Sequence, residues 1–220
     1  MKVAIFDFDG TLFPEETFPL MMRHLKTHPV HAPKYRRFIS KILPVYLAYK
    51  LKLYPEQKMK EYSMRSYISS FGRSSKIDIQ QFFAQLGDEM SQNLSEAVVQ
   101  RLKQHSKDGY YIMLVSGAFE PLLYSVTKDI DFDCIIGTSI PFKNKEIDKH
   151  TPVIHIQGER KNANIFAQLA NHDVDWQNSY AYGDSYSDLS VLELVGNPVA
   201  VKPEPRLLEI ATKRNWEILS

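Results

Sequence analysis

Asp7 and Asp9 stand two residues apart near the start of the chain, and a Gly10-Thr11 turn follows them. The stretch from Val3 to Phe8 reads as a short buried strand, because β-branched and aromatic side chains suit a pleated interior. Strand side chains alternate between faces, so the two carboxylates are expected to point the same way. Like charges held together disfavour ionisation unless a cation sits between them. Mg2+ suits such a place, since it takes carboxylates, backbone carbonyls, waters and phosphate oxygens. A plain strand end with solvated acids has the same spacing, so the pair alone does not decide between the two.

Three later stretches offer partners. Ser116-Gly117-Ala118 follows the hydrophobic run Tyr110–Val115. The Ser116 hydroxyl and the N–H groups around Gly117 would give an anion its donors, helped by the positive end of a following helix. Lys161, near a helix start, supplies a point charge able to hold a phosphate oxygen and shield a reacting carboxylate. Gly183-Asp184-Ser185-Tyr186-Ser187-Asp188 adds two more acids. Asp7, Asp9 and Asp184 together make an oxygen-rich Mg2+ site. Positioning and charge neutralisation are most of what phosphoryl transfer requires, and a carboxylate can act as nucleophile through an aspartyl-phosphate. Taken singly, these are a common turn, a solvated lysine and capping acids. Their order along the chain, each after an expected strand or helix start, is the specific signal.

The elements that must position them alternate. Strands are expected at Tyr110–Val115, Cys134–Ile136, Tyr180–Tyr182 and Pro198–Val201, and helices at Phe119–Lys128, Arg160–Leu169, Leu189–Val195 and Arg206–Lys213. A hairpin or flap is expected between Thr138 and Pro152, turning near Lys143-Asn144-Lys145. Alternation of this kind implies parallel βαβ units, an α/β fold with a Rossmann-like sheet flanked by helices. Ligands of such sheets bind beyond the carboxyl ends of the strands, where Asp7, Asp9, Ser116 and Asp184 all fall. Residues 19–95 read instead as helical, broken at Pro29, Pro33, Pro44 and Pro55 and interrupted at Gly72 and Gly87. The expected division is therefore an α/β core at 1–13 and 96–220 and an inserted all-α cap at 14–95.

Charge follows this division. Between Arg23 and Lys76 there are thirteen Lys/Arg and two acids, although the whole chain carries a formal net charge of +1. A basic module of this kind concentrates anions. A polyanionic or lipid phosphate, an acidic partner or an anionic membrane surface would suit it, as would a merely solvated face. No nucleic-acid recognition motif is visible, and none is expected as a partner. Residues 38–54 carry three lysines and a proline, too polar and short for the ~20 apolar residues of a spanning helix. One cysteine, Cys134, excludes an internal disulfide and reads as a small buried filler. No secretory pattern precedes the first strand, so a cytoplasmic location is the expectation. Neither a Walker A nor a G-x-G-x-x-G pattern is present.

In this order the motifs resemble those of the haloacid dehalogenase superfamily of phosphohydrolases, over nearly the whole chain. Asp7-Phe8-Asp9-Gly10-Thr11 looks like its first motif, Ser116 its second, Gly158-Glu159-Arg160-Lys161 its third and Gly183 to Asp188 its fourth. The resemblance implies Asp7 as nucleophile and Asp9 as the acid that protonates the leaving oxygen and then activates water. It implies Mg2+ held by Asp7, the Asp9 backbone carbonyl and Asp184, with Asp188 nearby, and phosphate held by Ser116, Gly117 and Lys161. A helical insert directly after the first motif is similar to the cap of the phosphoserine-phosphatase-like subgroup, as is Asn197-Pro198-Val199-Ala200-Val201-Lys202-Pro203. Glu16 matches the cap-entry glutamate that contacts the substrate amine in phosphoserine phosphatases. Those enzymes usually carry serine where Gly10 stands and asparagine where Ser187 stands. The implied function is a Mg-dependent phosphomonoesterase acting on a small phosphorylated metabolite. Phosphoserine phosphatase itself and a binding module of the same fold are the competing readings.

Overall fold

The computed structural model describes residues 1–148 and 150–220 and begins with strand β1, Val3–Phe6, whose four side chains are all buried. Four helices follow: α1 (Thr17–Thr27), α2 (Ala32–Lys50), α3 (Glu56–Ser70) and α4 (Lys76–Met90). Helix α5 (Glu96–Lys107) leads into β2 (Tyr111–Phe119), α6 (Glu120–Val126) and β3 (Cys134–Thr138). A small antiparallel hairpin, β4 (Phe142–Lys143) and β5 (Glu146–Ile147), turns at Asn144-Lys145 as expected. The chain ends with α7 (Glu159–Gln168), β6 (Tyr180–Gly183), α8 (Leu189–Leu192), β7 (Asn197–Val201), α9 (Pro205–Lys213) and β8 (Glu217–Leu219).

Six strands form one parallel sheet in the order β3-β2-β1-β6-β7-β8. Alternate residues of β1 enter opposite cores: Ala4 and Phe6 join one apolar cluster, Val3 and Ile5 the other. Burial on both faces explains why these strands read as continuous hydrophobic runs. Phe6 pairs with Leu114 on one side and Tyr182 on the other, so the carboxyl ends of β1, β2 and β6 lie side by side. Asp7 and Asp9 follow the end of β1 and Asp184 and Asp188 that of β6, while Ser116 lies within the last part of β2 and Lys161 comes in from α7.

The four-helix stretch leaves and rejoins the sheet at one point, where the Ser95 amide donates to the Leu12 carbonyl (2.9 Å). Tyr67 and Phe38 are fully buried among aromatic rings of α1, α2 and α3, and the Tyr67 hydroxyl donates to the Met21 carbonyl (2.9 Å). Among the described residues no helix is long and apolar enough to cross a membrane.

Local expectations failed in several places, among them the last strand, β8, which was not expected. Pro44 lies inside α2 rather than breaking it; its neighbours Leu43 and Leu47 are exposed, so the helix bears the lost hydrogen bond on an open face. Gly87 is buried within α4 rather than interrupting it. A Cβ at Gly87 would sit 2.4 Å from Ser125 Oγ, so glycine is there to let α4 approach α6. The first strand stops at Phe6, two residues short of expectation. Strand β2 instead continues through Ser116-Gly117-Ala118 to Phe119, with a register irregularity after Val115.

Candidate active site

Asp7 directly follows β1, and its amide donates to the Tyr182 carbonyl of β6 (3.0 Å). This ties it to the next strand and fixes it at the carboxyl end of the sheet. Gly10 then turns the chain back at φ +74°, a conformation that favours glycine. Glycine is also required by space, because a Cβ there would lie 2.2 Å from Asp184 Oδ2. A second left-handed glycine, Gly158 at φ +56°, opens α7 and sets Lys161 in its first turn.

From that turn the Lys161 ammonium donates to Asp7 Oδ1 and Asp188 Oδ1, both at 2.6 Å. Lys161, Asp7 and Asp188 are all buried. Carboxylate oxygens of Asp7, Asp184 and Asp188 all lie within 4.8 Å of one another. One ammonium therefore faces three acids. Burial, then repulsion from Asp188, pushes Asp7 well above the usual carboxylate range despite Lys161. Burial and Asp188 likewise push Asp184 up to about 7. Burial opposes the charge on Lys161, but Asp188 and Asp7 outweigh it and hold its pKa above the ordinary lysine value. An all-oxygen donor set with surplus negative charge is the chemistry of a hard divalent cation.

The Asp9 carboxylate stands apart from this cluster. Its Oδ1 accepts from the Thr17 amide (2.9 Å) and its Oδ2 from the Thr17 hydroxyl (3.2 Å). Enclosure at the foot of the cavity, with Glu16 beside it, pushes its carboxyl up to about 7. The expectation that Asp7 and Asp9 share a direction by strand alternation thus does not carry over, because the strand has ended and the Gly10 turn has begun. As a metal ligand Asp9 has only its backbone carbonyl to offer while Thr17 holds its side chain.

Ser116 is buried, and its Oγ accepts from the Ala118 amide (3.0 Å). The anion-binding turn expected here is an irregular strand end, and α6 starts further on at Glu120. Asp7, Asp9, Glu16, Gly117, Lys161 and Asp184 line a single cavity of about 1260 Å³. His155 and Gln157 line it too and were not foreseen. A Cβ on Gly117 would come within 2.5 Å of the His155 ring, so Gly117 makes room for the imidazole. Burial, with Lys60 nearby, holds the His155 pKa down to about 4. A lone histidine in a loop carries no spacing signal, and only the fold brings it to the cavity.

The sequence profile described as haloacid dehalogenase-like hydrolase matches residues 4–193. A Streptomyces azureus protein named "Inhibition of morphological differentiation protein" is 25% identical over 158 residues, 71% of this chain and 57% of that protein. The chain thus spans little more than half of that relative's length. A Bordetella pertussis Tohama I structure described as a protein with unknown function superposes with a TM-score of 0.80 at 19% identity, covering 100% of this chain and 98% of that one. A structure titled "Phospho-Aspartyl Intermediate Analogue of Phosphoserine phosphatase" gives a TM-score of 0.60 at 18% identity, over 99% of this chain and 92% of that one. At these identities the structural likeness is one of fold.

Proposed function

This chain belongs to the haloacid dehalogenase-like hydrolase family, and from that membership and its site we propose that it is a Mg2+-dependent phosphatase of small phosphomonoesters. The buried Asp7–Lys161–Asp188 bridge, with Asp184 against it at the mouth of three strands, is the observation that carries this reading. Residues 14–95 act as its cap. Asp7, Asp184 and the Asp9 carbonyl would hold the Mg2+, with Asp188 alongside, and a dication there would supply neutralisation of the phosphoryl charge.

Asp7 attacks phosphorus, the bond from phosphorus to the ester oxygen breaks, and an aspartyl-phosphate forms. The naming of a phospho-aspartyl analogue in the phosphoserine phosphatase structure supports this route. Asp9, with a carboxyl near 7, is suited both to give its proton to the leaving oxygen and to recover one from water. Water then cleaves the intermediate and frees phosphate. Lys161 and the Ser116–Gly117 strand end hold phosphate oxygens. Glu16 lies at the cavity wall beside Asp9.

Hydrolysis of p-nitrophenyl phosphate with Mg2+ tests the reading. Asp7→Asn should remove turnover by at least ~1,000-fold, the scale of losing a nucleophile. Undiminished turnover in Asp7→Asn rules out the aspartyl-phosphate route.

A further inference from the structure

We infer that the leaving group of the substrate is a long apolar chain, an inference that rests on the phosphatase reading and narrows its substrate class. Above the carboxylates, Phe18, Met22, Phe38, Ile39, Ile42 and Met64 of α1, α2 and α3 form the cavity wall. Its volume, about 1260 Å³, exceeds the ~300–1,000 Å³ of pockets for drug-sized ligands. The leaving group of an amino-acid phosphate would fill a small part of it.

Several of the charged and hydroxyl groups around the cavity are already engaged with other protein groups. Ser63 Oγ donates to the Met59 carbonyl of its own helix (2.7 Å). Lys60 pairs with Glu56 (3.0 Å), and Arg160 pairs with Glu61. Against Phe18, Met22, Phe38, Ile39, Ile42 and Met64 a polar leaving group would lose water and gain no hydrogen bond in return. An alkyl chain would gain from the same surroundings. Glu16, beside Asp9, is the group an ammonium would seek, so O-phosphoserine is the competitor to measure against.

The apolar wall also continues outward. Leu43 and Tyr46 line the cavity, yet they are 48% and 41% exposed. Leu47 and Leu51 follow on the same helical face at 52% and 69% exposed, with Lys50 and Lys52 beside them. Exposed apolar surface that runs into a cavity marks a ligand path. A chain longer than the cavity would leave along it.

The experiment is a series of monoalkyl phosphates from ethyl to dodecyl, kept below their aggregation concentrations, with O-phosphoserine for comparison. Expected is a rise in kcat/KM of about fourfold per added methylene until the cavity is filled. Ile39→Ser should lower the dodecyl-to-ethyl ratio of kcat/KM by roughly fivefold. A flat series, or preference for O-phosphoserine, overturns the inference while leaving the phosphatase reading intact. Were no ester turned over, the phosphatase reading would fall. Calorimetric binding of alkylphosphonates would then decide separately, with affinity rising along the series supporting the apolar-chain site and equal affinities overturning it. A second arm offers the dodecyl ester in phosphatidylcholine vesicles. Turnover there assigns the substrate to a lipid surface, and turnover of the monomer alone assigns it to a free amphiphile; both sustain the apolar chain.

Discussion

Both carboxylate oxygens of Asp9 are held by one residue, Thr17, through its amide and its hydroxyl. Thr17 is also the first residue of α1, which opens the inserted helices. The carboxylate proposed for proton transfer is therefore held by the start of α1 rather than within the Asp7–Asp184–Asp188 cluster. Thr17→Val keeps the amide contact and removes the hydroxyl one. Loss of one hydrogen bond to a charged group, ~1.5–3 kcal/mol, should lower kcat toward p-nitrophenyl phosphate by about tenfold or more. Steady-state kinetics at saturating Mg2+ measure this, and an unchanged kcat would leave the Thr17 hydroxyl without a catalytic part.

Lys161 and a bound dication compensate the same carboxylates. Lys161→Met should destabilise the metal-free protein by about 3–5 kcal/mol, since it leaves buried acids without their counter-charge. The rise in Tm on adding Mg2+ should be larger in Lys161→Met than in the parent, because the dication then stands alone against the three acids. Equal rises in both proteins would mean that lysine and metal do not share those oxygens.

The close passage of α4 over α6 depends on Gly87. Gly87→Val should cost about 1–3 kcal/mol by overpacking against Ser125, with a matching fall in Tm. Adding Ser125→Gly should recover part of it. Thermal unfolding of the single and double variants checks this pair directly.

Stability should fall with acid partly through His31. Burial, then Lys34 and His28, hold its pKa down to about 4 from 6.5, against a small opposing pull from Asp78. His28 stacks on His31 at 4.5 Å, and Phe71 and Phe82 meet its ring edge-on. The unfolded chain takes up this proton at a higher pH than the folded protein. Its contribution is therefore present above pH ~6.5 and is lost as the pH falls toward 4. Tm measured against pH should drop through that window, and the drop should be shallower in His31→Leu.

Much of the core was legible in the sequence because strands and their turns are local. Buried parallel strands must be apolar runs, so the polar residues at their carboxyl ends, Asp7 and Asp184, stood out before any folding was known, as Lys161 did at a helix start. The helical insert was legible too, from its periodicity and its basic charge. Pro44 and Gly87 were misread because each was weighed as a local breaker. An open helix face and a close helix crossing reversed those outcomes. The sequence by itself determined most of the strands, the run of helices after the first one and the spacing of the acids, since these depend on patterns within a few residues. Only the tertiary structure decided that Asp9 answers to Thr17, that Lys161 bridges Asp7 and Asp188, and that apolar faces of three helices enclose a chamber above them. Lys161 reaches Asp7 across 154 residues, and Asp9 meets Thr17 only because the chain turns back at Gly10, so packing and turn geometry rather than spacing set these distances.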